Sequence, residues 1–138
     1  MIEGMSENNS YRRKYNIIAD KSKAFAIRIV GCYKYLCDEK KEYILSKQLM
    51  RSGTSIGANV RESFNAQSTP DFISKISIAL KEAEESLYWL EILHETGTLE
   101  EKLFDSIYND CVELVKILTS IVKSSKEKEE KDSKNYPK

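Results

Sequence analysis

Apolar residues recur every three or four positions along most of the chain, which is the spacing of one face of an α-helix. The clearest run steps without a miss through Ile73, Ile76, Leu80, Ala83, Leu87 and Leu90. No stretch alternates apolar and polar residues with period two between turns, as a half-buried strand would. The pattern therefore predicts four helices, over residues 16–38, 42–67, 70–96 and from Thr98 to the region of Ile121.

The links between these helices are short and carry start and stop signals. Ser68-Thr69-Pro70-Asp71 predicts an N-cap, a proline in the first turn and an acid near the positive helix end. Gly97 predicts a left-handed C-cap, and Thr98 with Glu101 predicts a capping box for the fourth helix. Helices joined so closely are antiparallel neighbours, so we predict an all-α fold, an antiparallel up-down-up-down four-helix bundle.

The bundle is predicted to occupy residues 15–124, between two polar segments. Residues 1–14 predict a flexible N-terminal arm. Residues 125–138 have no apolar face and mix both charges, which predicts a charged disordered tail. The chain shows neither the apolar segment of a signal peptide nor an apolar run of about 18 residues. We therefore expect a cytoplasmic protein that does not contact a membrane.

Composition narrows the chemistry. The 138 residues include 22 basic and 22 acidic ones, so the formal net charge is zero and no global field favours nucleic acid. Cys32, Cys37 and Cys111 form no Cys-x-x-Cys pair, and His94 is the single histidine. Neither a disulfide framework nor a zinc site has its parts. We expect reduced thiols, no metal, no cofactor and no catalytic residue.

The second predicted helix concentrates poor helix formers around Gly53 and Gly57, each of which costs about 1 kcal/mol relative to alanine. At about 100° per residue, the glycines share one border of the apolar face, where a neighbouring backbone could approach closely. Polar residues cluster on the other border, within reach of acids on the third helix. We predict a structural polar network of Arg51, Ser55, Asn59, Glu62 and Glu82.

One alternative for these polar residues is a ligand site or active site. An enzyme would need perturbed titratable groups around a concave surface, and only Arg51, Asn59, Glu62 and Glu82 qualify. A phosphate loop would require Gly-Lys-Ser or Gly-Lys-Thr, which does not follow these glycines. The charges in the segment also exclude the Gly-x-x-x-Gly motif of membrane helices.

Two segments, LMRSGTSIGANVRES and DFISKISIALKEAEESLYWLEIL, resemble the bacterial four-helix-bundle family named after open reading frames in 23S ribosomal RNA intervening sequences. The resemblance covers about residues 15–122. It implies ring-like homopentamers of antiparallel four-helix bundles, and most members have no assigned biochemical function. A related branch comprises the accessory proteins of diversity-generating retroelements, whose positively charged pentamer binds a reverse transcriptase and RNA. The present chain differs from that branch in being neutral.

A second apolar stripe on the third helix favours self-association. Ile78, Trp89 and Ile92 lie opposite its core residues, with Glu82 and Glu85 between them. One bundle core cannot use both faces, and tryptophan is enriched at the centres of interfaces. We predict an oligomer interface of Ile78, Glu85, Trp89 and Ile92. The alternative is that Trp89 is an isolated exposed residue.

These observations predict a non-enzymatic, homo-oligomeric helical scaffold or adaptor, pentameric by resemblance, with an unidentified RNA or protein partner. The alternative is an RNA-binding accessory protein, for example a partner of a reverse transcriptase. Its candidate nucleic-acid contacts are the basic residues Arg12, Arg13, Lys14, Lys21 and Arg28. That function requires these side chains, together with Lys23 and Lys34, to gather on one face of the assembled ring.

Overall fold

A computed structural model describes the backbone of residues 9–134 and the side chains of residues 12–134. The chain forms four α-helices, namely α1 (Asn9–Asp38), α2 (Leu45–Phe64), α3 (Thr69–Glu95) and α4 (Glu101–Lys134). Helix α1 packs against α2 and α4, and α3 packs against the same two helices. No strand occurs within residues 9–134. This closed cycle of neighbours confirms the predicted all-α, antiparallel four-helix bundle.

The core is a continuous stack of aliphatic and aromatic side chains from all four helices. Burying one such side chain stabilises the fold by about 1.5–3 kcal/mol relative to leaving it in water. The side chains that are almost completely buried include Ile18, Ile29, Leu36, Leu49, Ile56, Phe72, Ile76, Leu90, Leu93, Ile107 and Leu114.

The buried face of α3 is rotated from the face that the sequence pattern predicts. Leu80 and Leu87 are only half-buried, whereas Phe72, Ala79 and Ser86 are fully enclosed. Helix α3 packs against both α2 and α4, so its buried face is set by two neighbours rather than by its own largest residues. A pattern of apolar residues also cannot indicate that a serine, such as Ser86, is buried.

The connections show which local signals act at the helix ends. The sequence predicts that the second helix starts near Glu42, but α2 begins at Leu45. The Glu42 carboxylate lies before the helix and accepts hydrogen bonds from amides at its start, including that of Ser46 at 3.1 Å. The Ser68 hydroxyl caps α3 by accepting from the Asp71 amide at 3.2 Å. Gly97 adopts φ +75°, which confirms the predicted left-handed C-cap.

Helix α4 begins at Glu101, so the predicted capping box of Thr98 and Glu101 is wrong. The Thr98 amide instead donates to the Leu93 carbonyl at 2.9 Å, and its hydroxyl lies 3.2 Å from that of Thr96. The amide bond satisfies the Leu93 carbonyl near the end of α3. Thr98 therefore closes the preceding helix instead of opening the next one.

Both outer helices are longer than the bundle boundaries that the sequence predicts. Helix α1 includes residues 9–14, and α4 continues through residues 125–134. Lysine and glutamate are strong helix formers, and opposite charges four residues apart, as in Glu127 and Lys131, support an exposed helix. The rest of the predicted arm and tail, residues 1–8 and 135–138, lies outside the described residues.

Candidate functional site

Helices α2 and α3 meet through buried serine hydroxyls. The hydroxyls of Ser52 and Ser86 lie 2.8 Å apart, and both residues are completely buried. The Ser86 hydroxyl is also within 2.9 Å of the Glu82 carbonyl oxygen, to which it can donate. Small side chains that satisfy one another let two helices approach without leaving an unpaired polar group. Neither serine belongs to the polar network that the sequence predicts.

Charged residues extend this junction towards the surface. Arg51 donates from Nη1 to Oε2 of Glu82 at 3.2 Å and from Nη2 to Oε2 of Glu85. The indole nitrogen of Trp89 donates to the same Glu85 oxygen at 3.0 Å. We name this set, Arg51, Ser52, Glu82, Glu85 and Ser86, the α2–α3 polar junction. It holds Trp89 in a defined orientation.

The remaining residues of the predicted polar network do not join it. The Ser55 hydroxyl donates to the Arg51 carbonyl at 2.6 Å, and the Asn59 side chain donates to the Ser55 carbonyl at 2.9 Å. Both bonds stay within α2. Glu62 pairs with Lys75 at 3.2 Å instead of with Arg51 and is 60% exposed. Three turns of helix separate Arg51 from Glu62, which is too far for a direct bond.

The predicted interface residues form a partly exposed stripe beside the polar junction. Ile78 is 37% exposed, and Trp89 and Ile92 are half-buried. Trp89 packs one side against the core, which its position opposite the main seam did not reveal. Tyr88, which the interface prediction omitted, is 56% exposed. Its ring contacts the Trp89 ring edge-on, with the two ring centroids 5.2 Å apart. We call Ile78, Glu82, Glu85, Trp89 and Ile92 the α3 stripe.

The predicted basic contacts separate into two rows on α1. Lys14, Lys21 and Arg28 recur every seven residues and face α4. Lys21 pairs with Glu113 and Arg28 with Asp110, both at 2.7 Å. Lys14 donates to the Ser120 hydroxyl at 2.8 Å. Intramolecular partners therefore engage this row.

The second row consists of Arg12, Lys23 and Lys34, which recur every eleven residues, or about three turns. All three are exposed, and no ion pair joins any of them to another residue within 12–134. Arg13 is also exposed but lies about 100° further round the helix. The cations of α1 do not gather on a single face.

A groove of about 520 Å³ runs between α1 and α2. Its apolar wall includes Tyr15, Ala26, Val60 and Phe64, and Phe64 is 40% exposed. Lys23 from α1 and Arg61 from α2 also line it, and neither forms an ion pair within the described residues. We call this surface the α1–α2 groove. Sequence periodicity did not identify it because its walls come from two helices.

Glycines set the spacing of the two helices that form the groove. A Cβ atom at Gly53 would lie 3.0 Å from two side-chain carbons of Ile29. One at Gly57 would lie 3.4 Å from the backbone carbonyl group of Ser22. The sequence prediction of close backbone approach at this border therefore agrees with the geometry. The close approach also keeps the floor of the groove free of large side chains.

Buried thiols and the histidine have packing roles. Burial raises the pKa of Cys32 to about 11 and that of Cys111 to about 12, so both remain protonated near neutrality. Cys111 donates to the Ala83 carbonyl at 3.3 Å. The His94 ring stacks on Phe104 with centroids 4.2 Å apart. The imidazole of His94 is therefore packed against an aromatic ring.

Residues 12–134 contain no group of three or more histidine, cysteine or acidic side chains placed to hold a metal ion. Within the described part of the chain, no helix is both long and apolar enough to cross a bilayer. Three surfaces make up the candidate site, namely the α2–α3 polar junction, the α3 stripe and the α1–α2 groove. They define an antiparallel four-helix-bundle protein with partly exposed apolar side chains.

Comparison with known proteins agrees with this class. The family model of the 23S rRNA-intervening sequence protein matches residues 14–120, and the chain belongs to that family. It is also similar to a crystal structure, at 1.70 Å resolution, of a protein of unknown function from the S23 ribosomal protein family of Bacteroides thetaiotaomicron VPI-5482. The two chains are 55% identical with a TM-score of 0.79, over 80% of this chain and 98% of the other. No curated protein is significantly similar.

Proposed function

We propose that this protein is a non-enzymatic, homo-oligomeric helical scaffold or adaptor that acts in the cytoplasm and is most simply a pentamer. The partly exposed α3 stripe carries this proposal. Soluble monomers seldom leave several large apolar side chains together in water, and burial against another copy removes them from it. The pentameric number rests on the resemblance alone.

The orientation of Trp89 supports a role in a contact between subunits. Its indole nitrogen is held by Glu85, and Glu85 is held in turn by Arg51. A tryptophan with a fixed orientation loses less conformational entropy on binding than a mobile one. Tryptophans in such settings are common binding hot spots.

The chemistry of the described residues supports a non-catalytic role. The four candidates for an active site, Arg51, Asn59, Glu62 and Glu82, are engaged in hydrogen bonds or ion pairs within α2 or between α2 and α3. The groove is lined mainly by apolar side chains, together with Lys23, Arg61, Thr54 and Asn65, but by no carboxylate, histidine or cysteine among the residues described. Histidine, carboxylate and cysteine side chains are the usual groups for general acid–base and nucleophilic catalysis, so this lining favours a binding role.

A single substitution tests the scaffold. Trp89→Glu places a charge at the proposed contact, and we expect it to weaken association by about 2 kcal/mol or more per interface. Light scattering should then report a lower mass, while circular dichroism should report unchanged helicity. Ile44→Glu is the matched control, because Ile44 is 77% exposed, precedes α2 and lies outside the α3 stripe. An unchanged mass for Trp89→Glu would place this residue outside the contact.

RNA binding is the second candidate function. Its support is the row of Arg12, Lys23 and Lys34, which no carboxylate of residues 12–134 neutralises. Lys21 and Arg28 contribute less, because each is already paired with an acid on α4. Filter binding to a structured RNA at low and high salt tests this function. Affinity that falls steeply with salt supports RNA binding, and affinity that does not change with salt contradicts it.

A further inference from the structure

The α1–α2 groove and the α3 stripe have comparable lengths. The stripe extends about 21 Å from Ile78 to Ile92, at about 1.5 Å per residue. The apolar part of the groove extends about 16 Å from Tyr15 to Ala26 on the same scale. The stripe is a partly exposed row of side chains with a tryptophan near one end, and the groove is a concave surface of comparable length. A helix can lay one apolar face into a groove of this kind.

The charges of the two surfaces are also complementary. The groove carries Lys23 and Arg61, and the described residues pair neither of them with an acid. The stripe carries Glu82 and Glu85, each of which uses only Oε2 towards Arg51. No partner for the Oε1 atom of either glutamate occurs among residues 12–134. Each glutamate can therefore accept from a further cation without breaking the α2–α3 polar junction.

The two surfaces lie on different sides of the bundle, one between α1 and α2 and the other on α3 beside Arg51. A contact between them therefore joins unlike patches of two identical chains. Such a heterologous contact propagates from head to tail and forms a closed ring when the rotation between subunits permits. A contact between like patches would instead stop at a dimer.

We propose that the α3 stripe of one copy docks in the α1–α2 groove of the next, with Glu82 and Glu85 facing Lys23 and Arg61. This contact rests on the homo-oligomeric scaffold proposed above. Trp89 is its apolar anchor, and the two cations determine which partner the groove accepts. Electrostatic complementarity of this kind selects one partner and one register.

Complementary variants test this arrangement. The groove variant is Lys23→Glu with Arg61→Glu, and the stripe variant is Trp89→Glu. Each blocks one half of the contact and leaves the other half intact, so each alone should associate at least about 100-fold more weakly than wild type. Mixed together, the intact stripe of the first should bind the intact groove of the second. Analytical ultracentrifugation should then show a heterodimer and no larger species.

Lys34→Glu is the matched control, because Lys34 belongs to the same row of α1 but does not line the groove. It should leave the mass of the oligomer unchanged. Circular dichroism confirms folding of each variant, and Lys23→Glu alone replaces the groove variant if the double substitution lowers helicity. Lys23 is exposed, so its replacement should not disturb the core.

The outcomes separate this contact from the scaffold itself. A monomeric wild type would overturn the scaffold and the contact together. A wild-type oligomer whose mass survives the groove variant would overturn only the contact and would place the groove outside the subunit interface. A mixture that contains only monomers, or either variant forming dimers alone, would also overturn head-to-tail docking.

Discussion

Helix α2 meets its two neighbours in two different ways. Towards α1 it presents Gly53 and Gly57, and the missing Cβ atoms let the helices come together. Towards α3 it presents Ser52 and Arg51, which bond to Ser86 and to two glutamates. At the glycines the first contact depends on close packing, whereas the second depends on paired polar groups. Gly53, Gly57 and Ser52 are poor helix formers, and each of the three serves a contact with another helix.

The two contacts should respond differently to substitution. A glycine at a close approach cannot accept a larger side chain unless a backbone or a packed side chain moves. A hydroxyl or an ion pair can be removed at smaller cost, provided that its partner keeps another bond or reaches water. The glycine side should accordingly be the less tolerant of the two.

The largest effect is expected for Gly53→Leu. The new side chain would collide with the buried Ile29, and overpacking of this kind should lower the free energy of unfolding by about 3 kcal/mol. Urea unfolding followed by circular dichroism measures it. Gly31→Ala is the control, because a Cβ there has nothing within 4 Å and should stabilise the helix by about 1 kcal/mol. Equal effects at both positions would show that helix propensity, and not close packing, governs Gly53.

Removal of the buried hydroxyl pair should have a smaller effect. Ser52→Ala and Ser86→Ala should each lower the free energy of unfolding by about 1 kcal/mol, since each breaks one bond between α2 and α3. The double variant should cost less than the two single variants together, because the shared bond is lost only once. Strict additivity in a double-mutant cycle would show that the two hydroxyls do not interact.

Removal of exposed ion pairs should lower the free energy of unfolding least among these substitutions. Arg51→Ala should cost about 0.5–1 kcal/mol, because the arginine bridges two glutamates but is itself exposed. Glu62→Ala should change stability by less than about 0.5 kcal/mol, because its single partner is Lys75 and both groups reach solvent. Thermal unfolding compares the two variants. A larger loss of stability for Glu62→Ala than for Arg51→Ala would support the place in the polar network that the sequence predicted for Glu62.

Alkaline pH should weaken the contact between α1 and α2 without any substitution. Burial raises the pKa of Tyr15 to about 12 from its ordinary value of 10, and its hydroxyl donates to the Val60 carbonyl at 3.2 Å. The folded state thus holds this proton more tightly than the unfolded chain does. Its stabilising effect is complete below pH 10 and declines as the pH rises towards 12.

Tyr15→Phe removes the titrating group and is the control for this pH dependence. Stability measured at increasing pH should fall less steeply in that variant than in wild type. The two buried thiols, and Tyr108 through its hydrogen bond with Glu91, also have raised pKa values and should contribute to the decline that remains. Identical profiles for wild type and Tyr15→Phe would show that Tyr15 does not contribute.

Much of the fold could be predicted from periodicity and capping residues. Gly97 ends α3 as expected because a left-handed C-cap favours a residue without a side chain. The rotation of α3 about its own axis could not be predicted in the same way. Leu80 and Leu87 fit the heptad pattern, yet in the bundle they lie at the edge of the core and are only half-buried. Their burial depends on where α2 and α4 lie.

The candidate site was less predictable than the fold. Side chains on one helix can be assigned to a face by counting, so the chain itself indicated Arg51 and the acids of α3. Counting could not indicate that Lys75 is the partner of Glu62, or that Asp110 and Glu113 engage the basic residues of α1. These pairs join separate helices, and their geometry follows from helix rotation and separation.

The amino-acid sequence by itself determined four amphipathic helices, their short connections and the crowding of small and polar residues in α2. These features follow from local backbone geometry and from the helical repeat, which act within a few residues. Only the tertiary structure decided which cations of α1 remain without an acidic partner in the bundle, and only it formed the groove beside them. Those properties depend on the distance and rotation between helices, which long-range packing sets.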